Sequence, residues 1–324
     1  MADLKTLAVL TGGGDAPGMN AAVRAVVRSA LALGLRAHGV RRAYEGLVHG
    51  DIAELGARDV GGIIQRGGTV LQTARFPEFA EPEVQQEALR QLKAHGVDAL
   101  VAIGGDGTMR GAAALHRLGF PVIGIPASID NDVFGTDMAI GVDTALNTIV
   151  EAIDKLRDTA SSHQRAFIVE TMGRDCGHLA LMSGVISGAE MTLIPERDVS
   201  AEEVAAAVSD AHTRGKTHAI VVVAEGARLG ASALKEVLDR MNTGFESRVT
   251  ILGHVQRGGS PSAWDRLIAA RFGVIAAERL AKGESGVMVA LKAREIVSVG
   301  LERVATRKRE TDLEFYRMAR MLAK

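Results

Sequence analysis

Residues 97–132 read VDALVAIGGDGTMRGAAALHRLGFPVIGIPASIDND. Val97 to Ile103 is a β-rich apolar run closed by glycine, and Thr108 to Leu118 has helical spacing. A second apolar run follows, so the order is strand, turn, helix, strand. In an open parallel sheet, ligands sit at the carboxyl ends of strands. Both Gly104-Gly105-Asp106-Gly107-Thr108 and Ser128-Ile129-Asp130-Asn131-Asp132 belong at such ends, on one rim. Small residues let backbone N–H groups approach a phosphate, and the helix that follows points its positive end at the anion. Asp106 can hold a metal ion beside that charge. Asp130 adds a carboxylate able to take a proton.

The same alternation extends in both directions. Leu4 to Leu10 reads as a buried strand running into Thr11-Gly12-Gly13-Gly14-Asp15-Ala16-Pro17-Gly18, and Ala21 to Leu33 as a helix, which makes a second strand-to-helix glycine turn. Arg24 and Arg28 share a face of that helix, either as a solvated stripe or as an anion site. Ala37 to Arg42 reads as a strand, with Tyr44 in a turn after it, a platform for a nucleobase or an ordinary packing residue. Arg75, beside small residues in Thr73-Ala74-Arg75-Phe76-Pro77, can reach a phosphate bidentately. Glu83 to Ala94 is a helix leading into the central stretch.

Beyond it, Asp143 to Thr159 has a helical period, and Ala166 to Glu170 is a strand ending in Thr171-Met172-Gly173-Arg174, with a helix from near Asp175. Met191 to Pro195, Ala219 to Glu225 and Arg248 to Leu252 read as further buried strands. Ser200-Ala201-Glu202-Glu203 resembles a capping box between the first two. Gly253-His254-Val255-Gln256-Arg257-Gly258-Gly259-Ser260-Pro261 precedes a helix over Ala263 to Leu280. A strand-like Gly286 to Leu291 and a charged helix after Glu310 close the chain. The expected fold is α/β: two similar doubly wound lobes with mostly parallel sheets, several chain crossings, and the active site in the cleft between them.

Composition narrows the function. The chain has 324 residues, 47% hydrophobic and 24% charged, with a formal net charge of -1. That suits a packed globule and favours neither nucleic acid nor an anionic membrane surface as partner. Its one cysteine, Cys176, excludes an internal disulfide and reads as a small buried residue near a helix start. No stretch approaches the ~18 apolar residues of a membrane span, and MADLKTLAVLTGGG is too short in apolar residues for a signal peptide. A cytoplasmic protein is expected. Groups suited to anions stand at strand ends in both halves: Gly14, Arg75, Asp106, Gly107 and Thr108 on one side, Arg165, Arg174, Arg248, His254 and Arg257 on the other. Arginines in both lobes with acids between them fit phosphoryl transfer.

Gly13-Gly14-Asp15-Ala16-Pro17-Gly18-Met19-Asn20, Ala74-Arg75-Phe76-Pro77-Glu78, Gly104-Gly105-Asp106-Gly107, Ile129-Asp130-Asn131-Asp132, Ser162-His163-Gln164-Arg165, Met172-Gly173-Arg174 and residues 253–261 resemble, in order, the motifs of bacterial ATP-dependent 6-phosphofructokinases. The resemblance covers essentially the whole chain. It implies transfer from MgATP to the 1-hydroxyl of fructose 6-phosphate, with Asp130, Arg75 and Arg174 catalytic. ATP would meet Gly14, Tyr44, Arg75, Phe76, Gly105, Asp106, Gly107 and Thr108, and Asp106 and Asp132 would organise magnesium. Ser128, Met172, Gly173, Arg174, Glu225 and Arg257 would hold the sugar phosphate or the transferring group. Arg165, Arg248 and His254 would hold the 6-phosphate, the two arginines reaching in from a neighbour in a homotetramer.

The resemblance also implies a nucleotide-binding lobe of 1–141 plus 256–304 and a sugar-phosphate-binding lobe of 142–255 plus 305–324. Arg24, Arg28, Arg157, Gly188, Glu190, Arg214 and Lys216 would line an effector site for ADP and phosphoenolpyruvate. Ala57 and Arg58 depart from relatives that have arginine and tyrosine there, and Ala127 replaces a more usual glycine. The GGDGT turn also resembles that of NAD kinases and lipid kinases. The rival readings are a pyrophosphate-dependent phosphofructokinase and a nucleotide-sensing protein without catalysis.

Overall fold

The apolar runs become strands buried on both faces, as parallel sheets covered by helices require. The computed structural model describes residues 4–323. The chain opens with β1 (Thr6–Gly12), α1 (Met19–Ala32), β2 (Arg36–Val40), α2 (Ala43–Val48), β3 (Ile52–Glu54) and α3 (Pro82–Ala94). The central stretch forms β4 (Ala99–Gly104), α4 (Asp106–Arg117) and β5 (Val122–Pro126). Then come α5 (Val142–His163), β6 (Arg165–Thr171), α6 (His178–Ser187), β7 (Met191–Leu193), α7 (Ala201–Thr213), β8 (Ala219–Ala224), α8 (Ala231–Met241) and β9 (Glu246–Ile251). The last part is α9 (Ala263–Ala281), β10 (Val287–Lys292), β11 (Glu295–Gly300), α10 (Leu301–Thr306) and α11 (Leu313–Leu322).

Two sheets result, one of seven strands in the order β11-β10-β5-β4-β1-β2-β3 and one of four in the order β7-β8-β6-β9. All neighbours are parallel except β10 with β11 and β2 with β3. The chain divides into two compact units. Unit 1 takes residues up to 128, 132–144 and 257–309, and unit 2 takes 129–131, 145–256 and 310 onward. Leu10, Leu100, Met109, Leu115, Met288 and Leu301 centre the core of unit 1. Ile168, Val221, Val223, Leu234 and Phe245 centre that of unit 2.

Ser200 caps α7, its Oγ accepting from Glu203 N at 3.1 Å, and Cys176 is buried and forms no disulfide. No helix among the described residues is long and apolar enough to cross a membrane. Several elements differ from the sequence expectation. The helix expected to stop at Thr159 continues to His163, and Tyr44 lies in α2 rather than in a turn. The edge strands β3 and β11 and the helices α8 and α10 were not expected. Both edge strands are antiparallel and largely uncovered, so they lack the continuous apolar signal of their parallel neighbours.

Candidate active site

Gly12, Gly104 and Pro126 stand in register at the carboxyl ends of β1, β4 and β5. This places the first glycine turn, the Gly105 to Thr108 turn and the start of the loop after β5 on one rim of unit 1. A Cβ on Gly104 would run into the Gly12 carbonyl and the Thr108 hydroxyl, and one on Gly105 would lie 3.7 Å from Ser128 Cβ. Glycine is therefore what lets the loops close on each other. Asp106 is the first residue of α4, so its carboxylate sits at the positive helix end.

A cavity of about 630 Å³ runs from Gly12, Gly13, Gly107 and Thr108 to Tyr44, Phe76, Phe79 and Gln85, with Arg75 on its wall. Its lining combines glycine backbone with aromatic rings, which matches a phosphate chain attached to a base. Tyr44 is nonetheless not an open platform. Its ring stacks on Phe79 at 4.1 Å between centroids, its hydroxyl donates to the Thr108 carbonyl at 2.6 Å, and burial pushes the phenol well above its usual range. Tyr44 shapes the wall and ties it to the turn at Thr108. Arg75 is exposed and Phe76 half-buried, both on the cavity.

The grouping of strand-end charges set Arg257 opposite Gly14, whereas the expected lobe boundary at 256 set it on the Gly14 side. It belongs to unit 1, and a Cβ on Gly14 would overlap its guanidinium. Its Nε is buried with no hydrogen bond among the described residues, so an anion at the Gly14 turn would find a donor there. For magnesium, Asp106 supplies a carboxylate at the turn. Asp132 accepts from Ser128 Oγ at 2.9 Å and keeps further lone pairs. One or two carboxylates completed by phosphate oxygens and water are the usual magnesium set, so these residues fit the ion.

In unit 2 the buried Asp130 faces Arg174, Oδ2 to Nε at 3.6 Å. Arg174 adopts a left-handed backbone, φ 51°, in a turn that Glu225 holds by accepting from Gly173 N at 3.2 Å and Arg174 N at 2.7 Å. Gln256, wholly buried, accepts from Met172 N at 3.2 Å. Asn131, also buried, meets His178 Nε2 at 3.1 Å. Gln256 and His178 escaped the sequence reading because nothing in their local pattern marks a tertiary hydrogen bond. Arg165 and Arg248 are brought together by Glu246, which takes Arg165 Nε at 3.0 Å and also Arg248 Nη2. His254 is exposed in the short helix Gly253–Arg257 and makes no hydrogen bond to either arginine among the described residues.

The effector candidates fall in both units. Arg24 and Arg28 lie on α1 of unit 1; Arg157, Gly188, Glu190, Arg214 and Lys216 lie in unit 2. Glu190 is buried and accepts from Lys216 Nζ at 2.8 Å and Ile220 N at 2.6 Å. Arg157 donates to the Ser187 carbonyl, one residue before Gly188, and Arg214 pairs with Asp210 at 2.9 Å. His218, not singled out from sequence, joins this group. Burial and the nearby Arg157 lower its pKa, and Nδ1 lies 2.9 Å from Ser161 Oγ.

Comparison with known proteins identifies the family. The Phosphofructokinase family profile matches residues 6–280. An ATP-dependent 6-phosphofructokinase of Thermotoga neapolitana is 51% identical over 99% of this chain and 100% of its own length. One of Lysinibacillus sphaericus is 49% identical with the same coverage. Among solved structures, phosphofructokinase from Saccharomyces cerevisiae is 35% identical with a TM-score of 0.85, matching 98% of this chain and 48% of that longer one. A pyrophosphate-dependent phosphofructokinase from Marinobacter aquaeolei shares the fold at a TM-score of 0.86 and only 21% identity, covering 96% of this chain and 86% of that one. With the profile covering most of its length and full-length relatives near half identity, the chain belongs to the phosphofructokinase family.

Proposed function

We infer that the chain transfers the γ-phosphoryl group of MgATP to the 1-hydroxyl of fructose 6-phosphate, giving fructose 1,6-bisphosphate and ADP, a step of glycolysis. The observation that carries this reading is the buried Asp130 carboxylate beside Arg174, on the loop that follows the β5 end of the glycine rim. Asp130 accepts the proton of the 1-hydroxyl as its oxygen attacks, and Arg174 offsets charge on the transferring group. Gly14 and the Gly105 to Thr108 turn present N–H groups to the donor phosphates, with Arg75 and Phe76 along the nucleotide. Magnesium at Asp106, with Asp132 nearby, would supply charge neutralisation on the phosphate oxygens.

Unit 1 is thus the nucleotide-binding lobe and unit 2 the sugar-phosphate-binding lobe. Ser128, Met172, Gly173, Glu225 and Arg257 hold the sugar phosphate or the moving group, and Arg165, Arg248 and His254 the 6-phosphate. The working form is a cytoplasmic homotetramer in which a neighbour lends Arg165 and Arg248. ADP and phosphoenolpyruvate bind at the Arg157 and Lys216 group with Arg24, Arg28, Gly188, Glu190 and Arg214. ADP activates weakly there, because the exposed Ala57 and Arg58 offer neither the expected phosphate contact nor the aromatic one.

The test is a coupled assay of ADP release with fructose 6-phosphate, run beside one with pyrophosphate as donor. Turnover with MgATP well above that with pyrophosphate supports the reading. No turnover with MgATP, or faster turnover with pyrophosphate, overturns it.

A further inference from the structure

Arg110 belongs to none of the groups assigned above. It is exposed on α4, one turn beyond Gly107, and lines the cavity together with Arg75 and Arg117. No aspartate or glutamate lines that cavity. Arg117 has a counter-charge, Glu302, at 3.7 Å, whereas Arg110 makes no ion pair among the described residues. Long helical side chains lean toward the helix N-terminus, and Arg110 does so. Its Nη2 lies 3.8 Å from where a Cβ on Gly107 would stand. The guanidinium therefore lies beside the Gly107 turn.

We propose that Arg110 is a donor-binding residue, its guanidinium holding the α- or β-phosphate of the nucleotide. This rests on reading the cavity as the nucleotide pocket. A cation aimed at the turn adds a side-chain donor to a cradle otherwise made of backbone N–H groups, and a guanidinium suits phosphate oxygens by geometry as well as charge. ATP and ADP share these two phosphates, so the contact binds substrate and product alike. It is uniform binding, which moves KM and leaves the chemical step alone. A contact to phosphate oxygens is also shared by nucleotides of any base.

The experiment compares R110M, R110K and A80W with the parent enzyme, Ala80 being an exposed residue on the cavity wall. KM is measured for MgATP and MgGTP, and ADP affinity by calorimetry. For R110M we expect KM for MgATP to rise about tenfold, the size of one exposed charge-assisted contact. KM for MgGTP and the Kd of ADP should rise by the same factor, kcat should stay within twofold, and R110K should fall between. An unchanged KM, a loss confined to ATP, or a fall in kcat at constant KM would overturn the proposal. A80W separates the two layers. If it raises KM for MgATP while R110M does not, the cavity is the nucleotide pocket and Arg110 has no part in it. If neither variant moves KM, the reading of the cavity fails as well.

Discussion

The glycine turns of unit 1 are built by leaving side chains out, whereas the Arg174 turn of unit 2 is built by setting charged side chains against backbone and each other. Around Gly12 and Gly104 the loops approach so closely that a single methyl group would collide with backbone or with Thr108. Around Arg174 the turn has a side chain in a left-handed conformation, kept there by Glu225 and faced by Asp130. The first construction is intolerant of added volume. The second is sensitive to any change of charge, because each acid there already has a partner to lose.

The largest expected effect is on the charged side. Asp130→Ser should lower kcat by about 10² to 10⁴, the range for losing a general base, while fructose 6-phosphate still binds through the arginines. Near-normal turnover of the purified variant in the coupled assay would remove Asp130 from the chemistry. On the glycine side, Gly104→Ala should raise KM for MgATP about ten- to a hundredfold, because the β1 and β4 ends must part to admit the methyl group. Nucleotide titration checks this, and unchanged affinity would mean that the turns are not matched to the ligand by close approach.

A buried acid in unit 1 gives a third way to sharpen the contrast. Asp265 is wholly buried and accepts from Gly141 N at 2.8 Å, Thr144 N at 2.8 Å and Thr144 Oγ1 at 2.5 Å. Burial pushes its carboxyl up to about 6, against the pull of these hydrogen bonds. A raised folded pKa means that its contribution to stability is fullest in acid, below the unfolded value, and declines as pH rises through about 6. The destabilisation caused by Asp265→Asn should therefore be larger at pH 4.5 than at pH 7.5, by about 2 kcal/mol. Denaturant melts at the two pH values measure it, and an equal or opposite difference would show that the hydrogen bonds outweigh burial.

The smallest effect concerns Glu246, whose carboxyl is held below its usual range by the hydrogen bond from Arg165 and by the nearby Arg248. It already occupies the two cations proposed for the 6-phosphate. Glu246→Gln should lower KM for fructose 6-phosphate about twofold, as expected for an exposed pair. A rise in KM in the sugar saturation curve would show that Glu246 presents the arginines rather than competing for them.

Much of the molecule was legible because its signals are local. The strand, glycine turn and helix of residues 97–132 announce themselves by periodicity and small residues, and the rim they predict is present in the register of Gly12, Gly104 and Pro126. What escaped is what distant contacts decide. The β10–β11 hairpin turns through Ala293 at φ 54°, with no glycine or asparagine to mark it, because Asp137 binds Lys292 and the Ala293 N–H from far along the chain. Asp265 and His178 look ordinary in sequence, since their partners lie 121 and 47 residues away.

The division of unit 1 into separated stretches also bears on the order in which a growing chain can fold. The four-stranded sheet of unit 2 draws only on residues between Arg165 and Ile251, so its pairings are available before synthesis reaches α9. The seven-stranded sheet must wait for β10 to dock on β5, which is more than 150 residues upstream. Until then β5 is an open sheet edge, and the start of α5 lacks the carboxylate of Asp265 that anchors it. Long-range pairings of this kind slow folding and prolong the exposure of sticky edges. The half of the protein made first is therefore the half finished last.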